Sequence, residues 1–195
     1  MRIREVVLPA PDPEALAGFH GPGYGASRLR FEHGPAVCSH FAVNVPPERF
    51  EEAVAWARER SELVEADVPF PSWRARAAYF FDPGGNIVEL IARERAPGEE
   101  LFLEISEVGL PVADVDAAVD CLEAELGLPR FDVGGGAFGA MGDDRGLLIV
   151  VPVGRPWLFT DRPASDAPLR VRIDSDRTGE LVVPGSGHVI ELDSI

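Results

Sequence analysis

The strongest constraint on the fold is an internal repeat. The segment Ile3-Arg4-Glu5-Val6-Val7-Leu8-Pro9 returns as Ile105-Ser106-Glu107-Val108-Gly109-Leu110-Pro111, an apolar strand with Glu at its third position and Pro at its close. Later, Pro83-Gly84-Gly85-Asn86-Ile87-Val88-Glu89-Leu90 is answered by Pro184-Gly185-Ser186-Gly187-His188-Val189-Ile190-Glu191-Leu192, a tight glycine turn running into an apolar strand with one Glu. Glu5 and Glu107 are 102 residues apart, and so are Glu89 and Glu191. This divides the 195 residues into two tandem halves, 1–95 and 101–195. The stretch 96–100, with its Pro-Gly break and acidic end, reads as the linker.

Within each half the period alternates between that of strands and that of helices. Asp12 followed by Pro13 starts a short helix. Phe50, Ala53, Val54 and Ala57 form an apolar stripe on a helix over 48–60. Asp114 caps a third helix, which runs to Leu126 and stops at Gly127. Strands are expected at 3–8, 28–32, 39–45, 62–68, 74–81, 86–92, 103–110, 130–133, 137–141 and 147–153. The tail holds strands at 169–174 and within 180–191, and no clear helix. The prediction is an α+β fold of four βαβββ-type units, the first and last shortened, with curled, mostly antiparallel sheets.

Composition narrows the function. A net charge of -15 repels phosphate backbones and anionic lipid, so neither nucleic acid nor a membrane is an expected partner. All 18 basic residues are Arg, which excludes a Schiff-base lysine and a phosphate-loop lysine, and no nucleotide cofactor is expected. The lysine-free, Ala/Gly/Pro/Arg-rich usage suggests a GC-rich bacterial genome. Cys38 and Cys121 are too few for a disulfide framework or a Cys-based zinc site, and read as buried thiols of a reducing compartment. The start lacks the apolar run of a signal peptide, and the longest apolar run, 147–153, is far short of a bilayer span. A cytoplasmic protein is expected.

One segment carries a family resemblance. Ser39-His40-Phe41-Ala42-Val43, the helix after it, and Tyr79-Phe80-Phe81-Asp82-Pro83-Gly84-Gly85-Asn86-Ile87-Val88-Glu89-Leu90 resemble a module of the vicinal oxygen chelate superfamily, which includes glyoxalases, bleomycin-resistance proteins and extradiol dioxygenases. The pattern Tyr-Phe-x-Asp-Pro-x-Gly-Asn-x-x-Glu-Leu is matched throughout. The resemblance implies paired modules whose sheets form a cup around a divalent metal, with ligands from first and last strands. Strand alternation is consistent with a cup. His40, Ala42 and Asn44 share one face, opposite the bulkier Phe41, Val43 and Val45, and Glu89 shares a face with Ile87 and Ile91. A carboxylate between two isoleucines is costly unless paired or ligated.

For the first half the implied ligand set is Glu5, His40 and Glu89, suited to Fe, Mn, Ni or Zn. Glu5 and Glu107 stand where the family usually has His. For the second half the set becomes Glu107, Arg170 and Glu191. Because Arg stays protonated, that site reads as metal-free, with Arg170, or Arg172 on the same face, pairing the glutamates. Each assignment has an alternative. His40 and Glu89 could simply hydrogen-bond in an empty pocket, and Glu5 could pair with an arginine. Arg74 and Arg76 read as anchors for an anionic substrate or as solvated edge charges. Tyr79 reads as a proton donor or as packing. His20 and His33 read as surface loop residues, and His188 as a turn residue.

Two functions follow from the resemblance. One is a metal-dependent enzyme acting on a small oxygenated molecule by isomerase or lyase, epoxide-opening or dioxygenase chemistry, with Glu5 or Glu89 as base. The other is a metal-free protein that sequesters a small molecule, as bleomycin-resistance proteins do, for which the acidic charge would favour a cationic ligand. A small-molecule ligand is the expected partner in either case, and a homodimer is compatible with both.

Overall fold

The computed structural model describes residues 1–94, 96 and 98–194; Arg95 and Pro97, at the expected linker, and Ile195 lie outside the described residues. The first unit comprises β1 (Ile3–Ala10), α1 (Pro13–His20), β2 (Gly23–Tyr24) and β3 (Ser27–His33). The second comprises β4 (His40–Asn44), α2 (Phe50–Arg58), β5 (Leu63–Phe70), β6 (Ala75–Phe81) and β7 (Ile87–Arg93). The third comprises β8 (Glu104–Val112), α3 (Val115–Leu126), β9 (Arg130–Val133), β10 (Gly139–Asp143) and β11 (Gly146–Pro152). The fourth has strands alone, β12 (Arg170–Ser175), β13 (Gly179–Val182) and β14 (Val189–Ser194).

The helix signals act as their chemistry requires. Asp12 accepts the Ala15 N–H at 3.0 Å and Asp114 accepts the Ala117 N–H at 3.0 Å. Gly127 closes α3 at φ 64°, a left-handed conformation that glycine adopts without strain. The Pro46-Pro47 pair delays α2, so Pro47–Arg49 forms a 3-10 turn before the helix begins.

The units pair in a nested order. The second and third form an eight-stranded sheet, β5-β6-β7-β4-β8-β11-β10-β9, and the first and fourth form a six-stranded sheet, β13-β14-β12-β1-β3-β2. The halves 1–95 and 101–195 are therefore interleaved, because each sheet draws one unit from either side of residues 96–100. The repeat marks the units and does not decide which of them pair. That is decided where free edges meet: β4 lies antiparallel to β8 with Ala42 opposite Glu107, and β1 lies antiparallel to β12.

One apolar core joins the two sheets. It contains Val6, Leu8 and Val171 from one, Phe41, Val43, Leu110 and Val150 from the other, and the buried stripe of α2. The alternation in β4 sends Phe41 and Val43 to this core and leaves His40 and Ala42 on the opposite face. No helix among the described residues is long and apolar enough to cross a membrane.

Candidate metal centre and ligand cavity

The face of the eight-stranded sheet turned away from the core holds a cavity of about 330 Å³. Its floor comes from three adjacent central strands. β4 supplies His40, β7 supplies Glu89 and β8 supplies Glu107. One nitrogen or oxygen from each lies within 4.8 Å of the other two, and all three side chains are buried. His40 Nε2 is 3.6 Å from Glu89 Oε2. Register explains the convergence, since Ala42 faces Glu89 on one side and Glu107 on the other. Ile87, Ile91, Ile149 and Trp157 surround the polar floor.

The pairing relates β4 and β7 to β8 and β11. Glu89 lies opposite Ala42, two residues beyond His40, and Ile149 lies opposite Gly109, two residues beyond Glu107. Glu107 thus corresponds to His40, and Ile149 corresponds to Glu89. Three of four equivalent positions carry donors and the fourth is apolar.

Arg93 sets the electrostatics beneath this floor. Its side chain is 2% exposed and its guanidinium donates to Glu107 Oε1, Asn44 Oδ1 and Ser106 Oγ. Its Nε has no hydrogen-bond partner among the described residues. Burial lowers the His40 pKa to about 4, so the imidazole is neutral near pH 7 and offers a lone pair. Burial raises Glu89 well above the usual carboxylate range; the neighbouring Glu107 charge adds to this, and Arg93 and Tyr79 oppose it. Burial also raises Glu107, against the pull of Arg93. Tyr79 lines the cavity with its hydroxyl held protonated, first by burial and then by Glu89.

The expected first-half set changes by one member. Glu5 lies on β1 in the other sheet, 3.3 Å from Arg172 and 3.8 Å from Arg30, and cannot share an ion with His40. The reason is the nested pairing, which brings β8 beside β4 and puts Glu107 where Glu5 was expected. The second-half set is divided in the same way. Glu107 joins the cup, while Arg172 and Arg170 hold Glu191 in the six-stranded sheet at 3.0 and 3.6 Å.

The two arginines expected at the substrate are elsewhere. Arg76 is bound by Glu51 and Asp67 at 2.7 and 2.9 Å and covers the Phe50 ring. Arg74 ends a 3-10 turn at φ 48° and lines a neighbouring cleft with Arg93 and Glu94. His20 is buried, contrary to its surface reading. Its ring joins Tyr24 Oη at 2.7 Å to Asp82 Oδ2 at 2.9 Å. His188 is fully buried as well, with Nε2 on the Pro111 carbonyl and Nδ1 accepting the Leu169 N–H. The Asp82–Asn86 turn has a structural role: Asp82 binds the Asn86 amide and side chain, and Asn86 accepts the Ser39 N–H, joining β7 to the start of β4.

Two nested sheets, βαβββ-type units and a donor-lined cup on the open face together match a known architecture. The fold is glyoxalase-like. A Bacillus subtilis protein to which a dioxygenase activity is ascribed superposes over 100% of this chain and 85% of its own, with TM-score 0.65 and 15% identity. Glyoxalase I from Zea mays superposes over 98% of this chain and 91% of its own, with TM-score 0.62 and 14% identity. Likeness at such low identity establishes the fold. No protein-family pattern and no curated protein matches the sequence.

The donor set fits a divalent ion. Ligands bound at about 2.0–2.2 Å stand about 3–3.6 Å apart, and His40 and Glu89 already have that spacing. Arg93 engages one oxygen of Glu107, and Oε2 accepts no hydrogen bond from the described residues. A ligating carboxylate held by an outer partner in this way is the usual arrangement.

Proposed function

We propose that the protein is a divalent-metal-dependent, glyoxalase-like enzyme acting on a small oxygenated molecule, with His40, Glu89 and Glu107 as ligands. The carrying observation is the convergence of these three buried donors on the floor of one cavity. A divalent ion there would act as a Lewis acid on adjacent oxygens of the ligand. Proton transfer is the favoured reaction class. Glu89 opens onto the cavity, and on release from the ion its carboxylate could take a proton from the ligand as general base. Tyr79 stands protonated beside it as a hydrogen-bond donor, and the isoleucines and Trp157 keep water from the floor.

One observation favours the alternative, a metal-free binding protein: Arg93 already neutralises one carboxylate of the set. Metal analysis of untagged protein, with calorimetric titration of Mn²⁺ and Zn²⁺ at two pH values, separates the readings. Ligation is expected to release a proton and to tighten as pH rises, because burial favours the protonated form of Glu89 and a ligand must lose its proton. His40→Ala should weaken binding by more than about 100-fold, beyond the loss of an outer partner alone. Protein that takes up neither ion, or a His40→Ala variant that binds as well as wild type, would support sequestration instead.

A further inference from the structure

The connection from β11 to β12 places an arginine on the wall of the cavity. Its backbone is fixed: Arg155 N–H donates to the Pro152 carbonyl at 3.1 Å, Ala164 N–H donates to the Arg155 carbonyl at 2.8 Å, and Pro156 bridges Pro163. Two residues on, Trp157 donates to the Cys38 carbonyl at 2.9 Å and lays its ring 5.3 Å from that of His40. The Arg155 guanidinium stands 5.7 Å from the centre of the Phe138 ring. It makes no salt bridge or side-chain hydrogen bond with any described residue.

Arg28, Arg58 and Arg74 also lack a carboxylate partner among the described residues, but only Arg155 of these lines the cavity. There are 33 acidic residues, and Arg76, Arg130 and Arg172 each engage two carboxylates. Asp132, the remaining ionisable group on the cavity wall, is occupied by the Trp73 indole N–H at 2.9 Å. The planar fork of an arginine suits two oxygens of one anion. Phe70, Trp73, Phe138 and Trp157 offer flat apolar walls.

We propose that Arg155 receives the anionic group, a carboxylate or a phosphate, of an unsaturated small molecule whose oxygenated end lies at His40, Glu89 and Glu107. The proposal rests on the cavity being the ligand site and adds the class of ligand. The acidity of the whole chain argues for a cationic ligand, but locally the balance differs. Arg93 offsets Glu107, Asp132 is held by the Trp73 N–H, and Arg155 is the cation on the wall that no carboxylate of the described residues engages.

Tryptophan-fluorescence titration with benzoylformate, phenyl phosphate and the neutral methyl benzoylformate tests the assignment. Wild type should bind one of the anions about 10- to 100-fold more tightly than the ester, the range for hydrogen bonds to charged groups. The anion that wins identifies the group. Arg155→Gln should abolish that preference and leave ester affinity and melting temperature unchanged. Equal binding of all three probes, or a preference that survives Arg155→Gln, overturns the role of Arg155. A cavity-filling variant, Ile149→Phe or, should that not fold, Ile91→Phe, separates this from failure of the site. If the variant blocks every probe, the cavity remains the ligand site. If probes bind it as well as wild type, or bind neither protein, the site and the role of Arg155 fall together.

Discussion

Arg93→Met keeps most of the side-chain volume and removes its charge. In the fold, Arg93 bonds Glu107, Asn44 and Ser106 out of reach of solvent. The substitution leaves Glu107, itself 3% exposed, without its cation and next to Glu89. Removing one partner of a buried ion pair costs about 3–5 kcal/mol. For a chain of this length each kcal/mol lowers the melting temperature by about 2–4 °C, so a fall of about 6–20 °C is expected near pH 7. The pH dependence has a definite sign. Burial already raises the Glu107 pKa above 4.5, and losing Arg93 raises it further. A raised folded pKa means stability that is present below the unfolded value and lost as pH rises through the folded one. The deficit of Arg93→Met should therefore be small near pH 4.5 and grow toward pH 8. Calorimetric melts of wild type, Arg93→Met, Glu107→Gln and the double variant across that range give the coupling. A variant melting within about 2 °C of wild type at neutral pH, or a deficit that stays constant with pH, would refute the reading of Arg93 as the counter-charge of this floor.

Asp82→Ala strips partners from His20 and from both nitrogens of Asn86, and should cost about 2–4 kcal/mol in denaturant unfolding; an effect under about 1 kcal/mol would show that the network is dispensable. Gly109→Ala places a Cβ 2.4 Å from the Trp157 ring, so the ring must leave its seat beside His40. A shifted tryptophan emission and a weaker ligand site are expected, and unchanged emission would contradict this. Burial lowers the pKa of His188, whose Nδ1 must accept the Leu169 N–H. A depressed folded pKa gives stability that is present above 6.5 and lost as pH falls, so His188→Gln should show a shallower acid loss than wild type; parallel curves would count against it.

Most of the elements were legible because local chemistry specifies them. Asp12 and Asp114 cap their helices, the β4 alternation sends His40 to the open face, and the glycine turn before β7 carries Glu89 inward. The partners of these elements were not legible. Nothing local tells β4 to pair with β8 when β1 has the same pattern, so Glu5 and Glu107 were equal on sequence grounds and only the pairing separates them. Arg93 falls just past the strand expected at 86–92, yet it belongs to β7, where Ser106 of β8 and Asn44 of β4 accept its hydrogen bonds. His20 sits beside glycines, and its burial depends on Asp82, 62 residues away.

The nested pairing also sets an order for the growing chain on the ribosome. The eight-stranded sheet has all its strands once Pro152 has been added, whereas β1, paired early with β3, waits for β12 at its other edge. Through most of translation the earliest strand therefore exposes an unpaired edge. β1 carries a proline near its end and holds Glu5 beside Arg30 of β3, charges of the kind that keep such an edge from joining another chain. Glu5 and Arg30, which contribute nothing to the cup, can then be understood as protection for a strand that is born early and partnered last, and Arg172 pairs with Glu5 only once β12 arrives.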